Sequence, residues 1–274
     1  MRACLAALCL SLSLGLGQQA QTQPERVVVL GGSVTEIVYD LGQEGRLVAG
    51  DQSSIHPPAA LKLPRVGYYR SVPIEGVIAM RPDLVLASEN AGPQKTLQRL
   101  SQLGIEVDVV SDAPSIESLY KRIEQIAGRL RVPGEGEKLI AQVRAEVQAA
   151  QAQAAPSRRA LVLLNRTGPL MAAGSGTAAD AVLTLAGLKN VLESQQGYKP
   201  ISAEGLAALS PELIVISRAS LDASGGMEKF RSGAGIASTP AAREGRVLAM
   251  DDLLILGLGP RVGQAIHELK EAAK

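Results

Sequence analysis

Two adjacent tyrosines stand beside an arginine in the stretch Val66-Gly67-Tyr68-Tyr69-Arg70, with Arg65 just upstream. Gly67, Pro64 and Pro73 mark this stretch as a loop. The chain has only five Tyr, one Phe and no Trp, so the pairing stands out. A phenol flanked by guanidinium groups is pushed toward tyrosinate, because nearby positive charge favours the ionised form. Tyrosinate is a hard oxygen donor suited to ferric iron, and tyrosine is one of the side chains that ligate haem iron axially. Adjacent residues on an extended loop point opposite ways, so one tyrosine is expected to face a ligand and the other to pack. The residues leave Tyr68 and Tyr69 open as the ligand. A plain turn, with one ring packed and one exposed, is the bland reading of the same pattern.

The elements that must position this loop alternate between strand and helix. Val27-Val28-Val29-Leu30 reads as a short buried strand. Gly31-Gly32-Ser33 then opens a helix, with Ser33 as its expected N-cap and Glu36 completing a capping box. It is not a phosphate-binding P-loop, because the Gly-Lys-Ser/Thr ending is missing. A second strand covers residues 46–50, a short helix 73–81 stops at Pro82, and a strand follows over 83–88. Helix 94–103, strand 105–110 and helix 116–130 complete the first half. This alternation predicts an α/β fold with a mostly parallel sheet covered by helices. From Glu135 to about residue 154 the chain is rich in Ala, Gln, Glu and Lys. It predicts one helix of about 20 residues, about 30 Å long, joining two lobes and limiting their relative motion.

After Pro156 the pattern restarts. Glu75-Gly76, Ala79, Pro82, Leu84 and Ser88 recur at one constant offset as Glu204-Gly205, Ala208, Pro211, Leu213 and Ser217. Self-similarity at half-chain scale predicts two similar lobes. The expected organisation is a targeting segment over 1–20, lobes over 24–132 and 157–274, and a connecting helix over 133–156. Ligands of such sheets sit outside the carboxyl ends of strands and between domains. Tyr68, Tyr69, Arg70, Tyr198 and Arg218 are therefore the candidate lining of one groove, with Lys199 beside them.

Arg2 is the only charge before Glu25, and residues 3–16 are apolar and small. That is the pattern of a cleaved secretory signal, too short for an anchor. Cleavage after Ala20 and after Gly17 both fit. Cys4 and Cys9 lie inside the segment, so the mature chain is expected to have no disulfide or thiolate chemistry. The 28 basic residues nearly balance 27 acidic ones, which argues against a nucleic-acid binder. No Gly-x-Ser-x-Gly elbow is present and there are two histidines, His56 and His267, so a hydrolase triad is excluded. Asp251-Asp252, without a nearby histidine, is a weak metal candidate.

The whole mature chain resembles the periplasmic haem-binding proteins of ABC importers, in the helical-backbone class of substrate-binding proteins. Val66-Gly67-Tyr68-Tyr69-Arg70 with Glu75-Gly76 and Arg81-Pro82 carries the resemblance. So do Gly197-Tyr198-Lys199-Pro200-Ile201-Ser202-Ala203-Glu204 and the run from Met250-Asp251-Asp252 to Gly259-Pro260-Arg261. The resemblance implies a non-enzymatic monomer that takes ferric haem, passed on from an outer-membrane receptor, and delivers it to an inner-membrane permease. It implies that the tyrosine after Val-Gly, Tyr68, is the iron ligand. A second-lobe arginine, for which Arg218 is the candidate, hydrogen-bonds the tyrosinate. Glu75 and Glu204 present one carboxylate per lobe to permease arginines. Either acid, in the first turn of a helix, also stabilises the helix dipole without any partner. Some relatives use a second-lobe histidine for a second haem, and here no histidine lies between His56 and His267. A ferric-siderophore or cobalamin binder of the same fold is the alternative. Those ligands bring their own chelation and need no protein tyrosinate.

Overall fold

A computed structural model describes residues 23–165 and 168–274. The expected targeting segment and both cysteines lie outside the described residues. The first lobe runs β1 (Val27–Leu30), α1 (Gly32–Asp40), β2 (Leu47–Gly50), α2 (Ile74–Ala79), β3 (Leu84–Ser88), α3 (Gln94–Gln102), β4 (Glu106–Val110) and α4 (Ile116–Arg129). Its sheet has the order β2-β1-β3-β4, and every pairing is parallel. β1 and β3 are buried along their whole length, as expected of strands covered on both faces.

The second lobe follows α5 (Pro133–Ala152). It comprises β5 (Arg159–Leu164), β6 (Met171–Ala173), α6 (Ala178–Leu185), β7 (Lys189–Asn190), β8 (Tyr198–Pro200), α7 (Ala203–Leu209), β9 (Leu213–Ser217), α8 (Arg218–Ala223), α9 (Met227–Arg231), α10 (Pro240–Arg243), β10 (Val247–Met250), α11 (Asp252–Leu256) and α12 (Val262–Ala272). Its sheet has the order β10-β9-β5-β6-β8, with β7 also on β5. β10, β9, β5 and β7 are parallel, but β6 runs antiparallel to both of its neighbours, β5 and β8, so this sheet is mixed.

The repeat is visible in three dimensions. Glu75 and Glu204 are each the second residue of a short helix, and Ser88 and Ser217 each end the buried strand that follows. Both helices stop on a left-handed residue before proline, Arg81 at φ 47° and Ser210 at φ 45°.

The 20-residue α5 ends at Ala152, four residues before Pro156. Leu139, Val143, Val147 and Ala150 form its buried stripe. A Cβ on Gly136 would meet the Ala127 side chain at 2.5 Å, and one on Gly263 would meet Glu146 at 2.8 Å, so α4 and α12 approach α5 closely. One continuous apolar cluster takes in Val27 and Leu84 of the first lobe, the α5 stripe, and Leu213 and Ile266 of the second.

The expected capping box at α1 is not formed. The helix starts at Gly32 with Gly31 as N-cap and no side-chain cap. Ser33 and Glu36 lie inside it, and both are buried. Ser33 Oγ instead accepts from Arg122 Nη1 at 2.5 Å, and Glu36 accepts from Arg261 Nε at 3.0 Å. Distant arginines took the groups that local spacing assigned to the helix terminus.

Candidate functional site

The carboxyl ends of the two sheets converge. Gly32, just past β1, sits so close to Leu253, just past β10, that a Cβ there would meet the leucine side chain at 2.4 Å. Two arginines cross between the lobes in opposite directions at this junction. Arg122 of α4 is fully buried, ion-paired with Asp112, and donates to the Leu258 carbonyl at 3.2 Å. Arg261 pairs with Glu36 of α1 and donates to Asp251 at 3.2 Å. Burial pushes the Glu36 carboxyl up to about 7, against the opposing pull of Arg261.

The tyrosine loop lies on the same carboxyl edge. The Gly67 carbonyl accepts from the Gln52 amide at 2.8 Å, and the Val66 amide donates to the Gly50 carbonyl at 3.1 Å, so the loop is stitched along the end of β2. Gly67 has φ 104°, and a Cβ there would meet the Pro73 ring at 2.6 Å. The next bonds turn the chain: the Ser71 amide donates to the Tyr68 carbonyl at 2.9 Å, and the Gly92 amide to the Tyr69 carbonyl at 2.9 Å.

That turn corrects the expectation that the two tyrosines point opposite ways. Their ring centroids are 5.1 Å apart in an edge-to-face arrangement, with an interplanar angle of 78°. The Arg70 guanidinium lies over the Tyr69 ring, 4.9 Å from its centroid, and reaches both phenols. Tyr69 packs against the apolar cluster of Val66, Val72 and Ala91. Its phenol is pushed up to about 12: burial outweighs the opposing Arg70, and Tyr68, Asp112 and Asp51 push the same way as burial. An arginine neighbour alone therefore does not ionise this phenol.

The second-lobe candidates stand apart from one another. Tyr198 begins the edge strand β8, opposite Ala173, and is 38% exposed. Arg218 is the exposed first residue of α8, at the end of β9, not in an extended strand end. β5 and β6 separate their strands, a span of about 14 Å. Lys199 lines a depression of about 380 Å³ with Ile201, Ser202 and Leu192. Glu75 and Glu204 are exposed on matching helices. Ser202 caps α7 through the Gly205 amide at 3.1 Å, and its own helix amide followed by the Ser202 hydroxyl hold Glu204 below the usual carboxylate range.

His56 is half-buried at the junction, where burial and then Arg261 lower its pKa against Asp251. His267 is exposed and paired with Gln153 Oε1 at 2.7 Å. Asp251 caps α11 through the Leu253 and Leu254 amides, and Asp252 accepts from the Ala219 amide at 3.0 Å. Both are thus occupied as caps, and no metal-ligand cluster forms among the described residues. Sequence reasoning missed Asp51, the fully buried carboxylate beneath the tyrosine loop. The run Asp51-Gln52-Ser53-Ser54 after a strand is an Asx-turn signal that could have found it.

The sequence profile of the periplasmic binding protein family matches residues 27–254. The periplasmic heme-binding protein RhuT from Roseiflexus sp. RS-1, in apo form, superposes with a TM-score of 0.86 at 35% identity, over 91% of this chain and 99% of that one. A periplasmic heme-binding protein from Pseudomonas aeruginosa gives 0.81 at 38% identity, over 91% and 92%. The vitamin B12-binding protein of Yersinia pseudotuberculosis serotype O:1b is 31% identical over 214 residues, 77% of this chain and 75% of that protein. The two-lobe α/β fold is what the solved structures share with it, and the chain belongs to the periplasmic binding protein family, whose members are substrate-binding proteins and not enzymes.

Proposed function

We propose that this protein captures ferric haem between its lobes, with Tyr68 on the iron, and delivers it to an ABC permease. The observation that carries the reading is the division of labour in the tyrosine loop. Tyr69 is packed and held protonated. Tyr68 is half-buried on the carboxyl edge, with the Arg70 guanidinium in reach to offset phenolate charge. The 35% and 38% identities to heme-binding proteins of the same fold support the same ligand. Arg218 would meet the ligand from the second lobe, and Tyr198 from its edge strand. Glu75 and Glu204, exposed at matched places, would meet permease arginines. Export through a cleaved signal would place the mature chain in the periplasm.

Cobalamin is the second reading, favoured by the identity to vitamin B12-binding proteins. Cobalamin carries its own cobalt ligands, so it gives the Tyr68–Arg70 pair nothing to coordinate. Parallel titrations of the mature protein with ferric haem and with cyanocobalamin separate the two. The haem reading requires saturable ferric haem binding with a high-spin tyrosinate spectrum. Saturation by cyanocobalamin alone would replace it.

A further inference from the structure

An acidic side chain anchors the tyrosine loop from beneath. Asp51 follows β2 and is fully buried. Its Oδ1 accepts from the Gly31 amide at 3.0 Å, from Ser53 Oγ at 2.8 Å and from Ser54 Oγ at 3.3 Å. Its Oδ2 accepts from the Ser53 amide at 3.0 Å and from the Tyr69 amide at 3.1 Å. The Asp51 carbonyl also accepts from Arg65 Nη1 at 2.6 Å. One carboxylate therefore gathers the β1–α1 turn, its own turn and the tyrosine loop. Every group around its oxygens is a donor.

The loop's backbone ties run through Gly50, Gln52, Ser71 and Gly92, and none of them takes the Tyr69 amide. Among the described residues, Asp51 alone accepts from that amide. We infer that Asp51 is the positioning residue that selects between the two tyrosines: by holding the Tyr69 amide it seats Tyr69 inward and presents Tyr68 to the ligand. The inference rests on the haem reading above.

The test is a ferric haem titration of Asp51→Asn, alone and combined with Tyr69→Phe. Asparagine keeps the shape but sets a donor against either the Ser53 and Tyr69 amides or the donors on the other side. The expected result is about a tenfold weaker dissociation constant and a second tyrosinate species in the absorbance spectrum, which the added Tyr69→Phe removes. A structural role alone would weaken binding without that Tyr69-dependent species. Should Asp51→Asn not fold, the α-hydroxy analogue of tyrosine placed at position 69 replaces the amide N–H with an ester oxygen and leaves the other four donors intact, while weakening the Tyr68 carbonyl as acceptor for the Ser71 amide. The same second species is expected there. A folded variant of either kind with the parent's spectrum and affinity within twofold would overturn the inference. Absence of haem binding in the unmutated protein is a separate outcome, visible before any variant is made, and would remove the haem reading and this inference with it.

Discussion

Gly67-Tyr68 in the first lobe and Gly197-Tyr198 in the second each stand ahead of one of the repeated helices α2 and α7. Both glycines have positive φ, 104° and 74°. The surroundings differ. A Cβ at Gly67 would strike Pro73, whereas one at Gly197 would meet nothing within 4 Å. Gly67 leads into a turn anchored on Asp51 with one ring packed, and Gly197 leads into a three-residue edge strand exposed along its length. The two lobes thus share a frame and divide the work. One packs a ring against an apolar cluster, and the other carries an exposed edge strand.

The glycine pair gives the sharpest way to break that contrast. Gly67→Ala forces a side chain into a left-handed conformation and into the Pro73 ring, so it should cost about 3 kcal/mol of stability and abolish haem binding. Gly197→Ala should cost about 1 kcal/mol and change haem affinity less than threefold. Urea midpoints and haem titrations of the two variants measure both differences. Equal losses would mean that the loops are built alike.

Glu36 tests the junction both lobes share. Its carboxyl sits near 7 in the folded chain against an ordinary value of 4.5. Between those values the folded state keeps a proton that the unfolded state has released, so stability should fall as pH rises across that window. The whole change should be up to about 3 kcal/mol. Glu36→Gln should flatten that segment of the pH–stability curve. A curve still sloping by the same amount would place the titration elsewhere.

Smaller effects separate the arginines. Arg70→Ala removes a cation from the Tyr69 face and from reach of both phenols, and should weaken haem binding about tenfold. Arg218→Ala, at an exposed helix start, should weaken it about threefold, as measured by haem competition. The reverse order would put the charge partner of the phenolate in the second lobe.

Much of this was legible in the sequence. The buried strand Val27–Leu30, the repeat around Glu75 and Glu204, and the long helix follow from runs, periodicity and composition, which are local signals. Ser33 and Glu36 were misread because their partners, Arg122 and Arg261, lie 89 and 225 residues away. Local spacing offers a capping box but cannot see a distant guanidinium that reaches the same oxygen. The two tyrosines were expected to diverge because extended geometry was assumed for their loop. The Tyr68–Ser71 turn brought the rings together, and burial outweighed Arg70 at the Tyr69 phenol.

The central claim is that Tyr68, and not Tyr69, meets the iron. Ferric haem titrated into the mature protein, Tyr68→Phe and Tyr69→Phe, followed by absorbance, tests it directly. The parent and Tyr69→Phe should both saturate with a high-spin tyrosinate spectrum, and Tyr68→Phe should lose that spectrum with at least a hundredfold weaker binding. An unchanged spectrum in Tyr68→Phe, or its loss in Tyr69→Phe alone, would contradict the account.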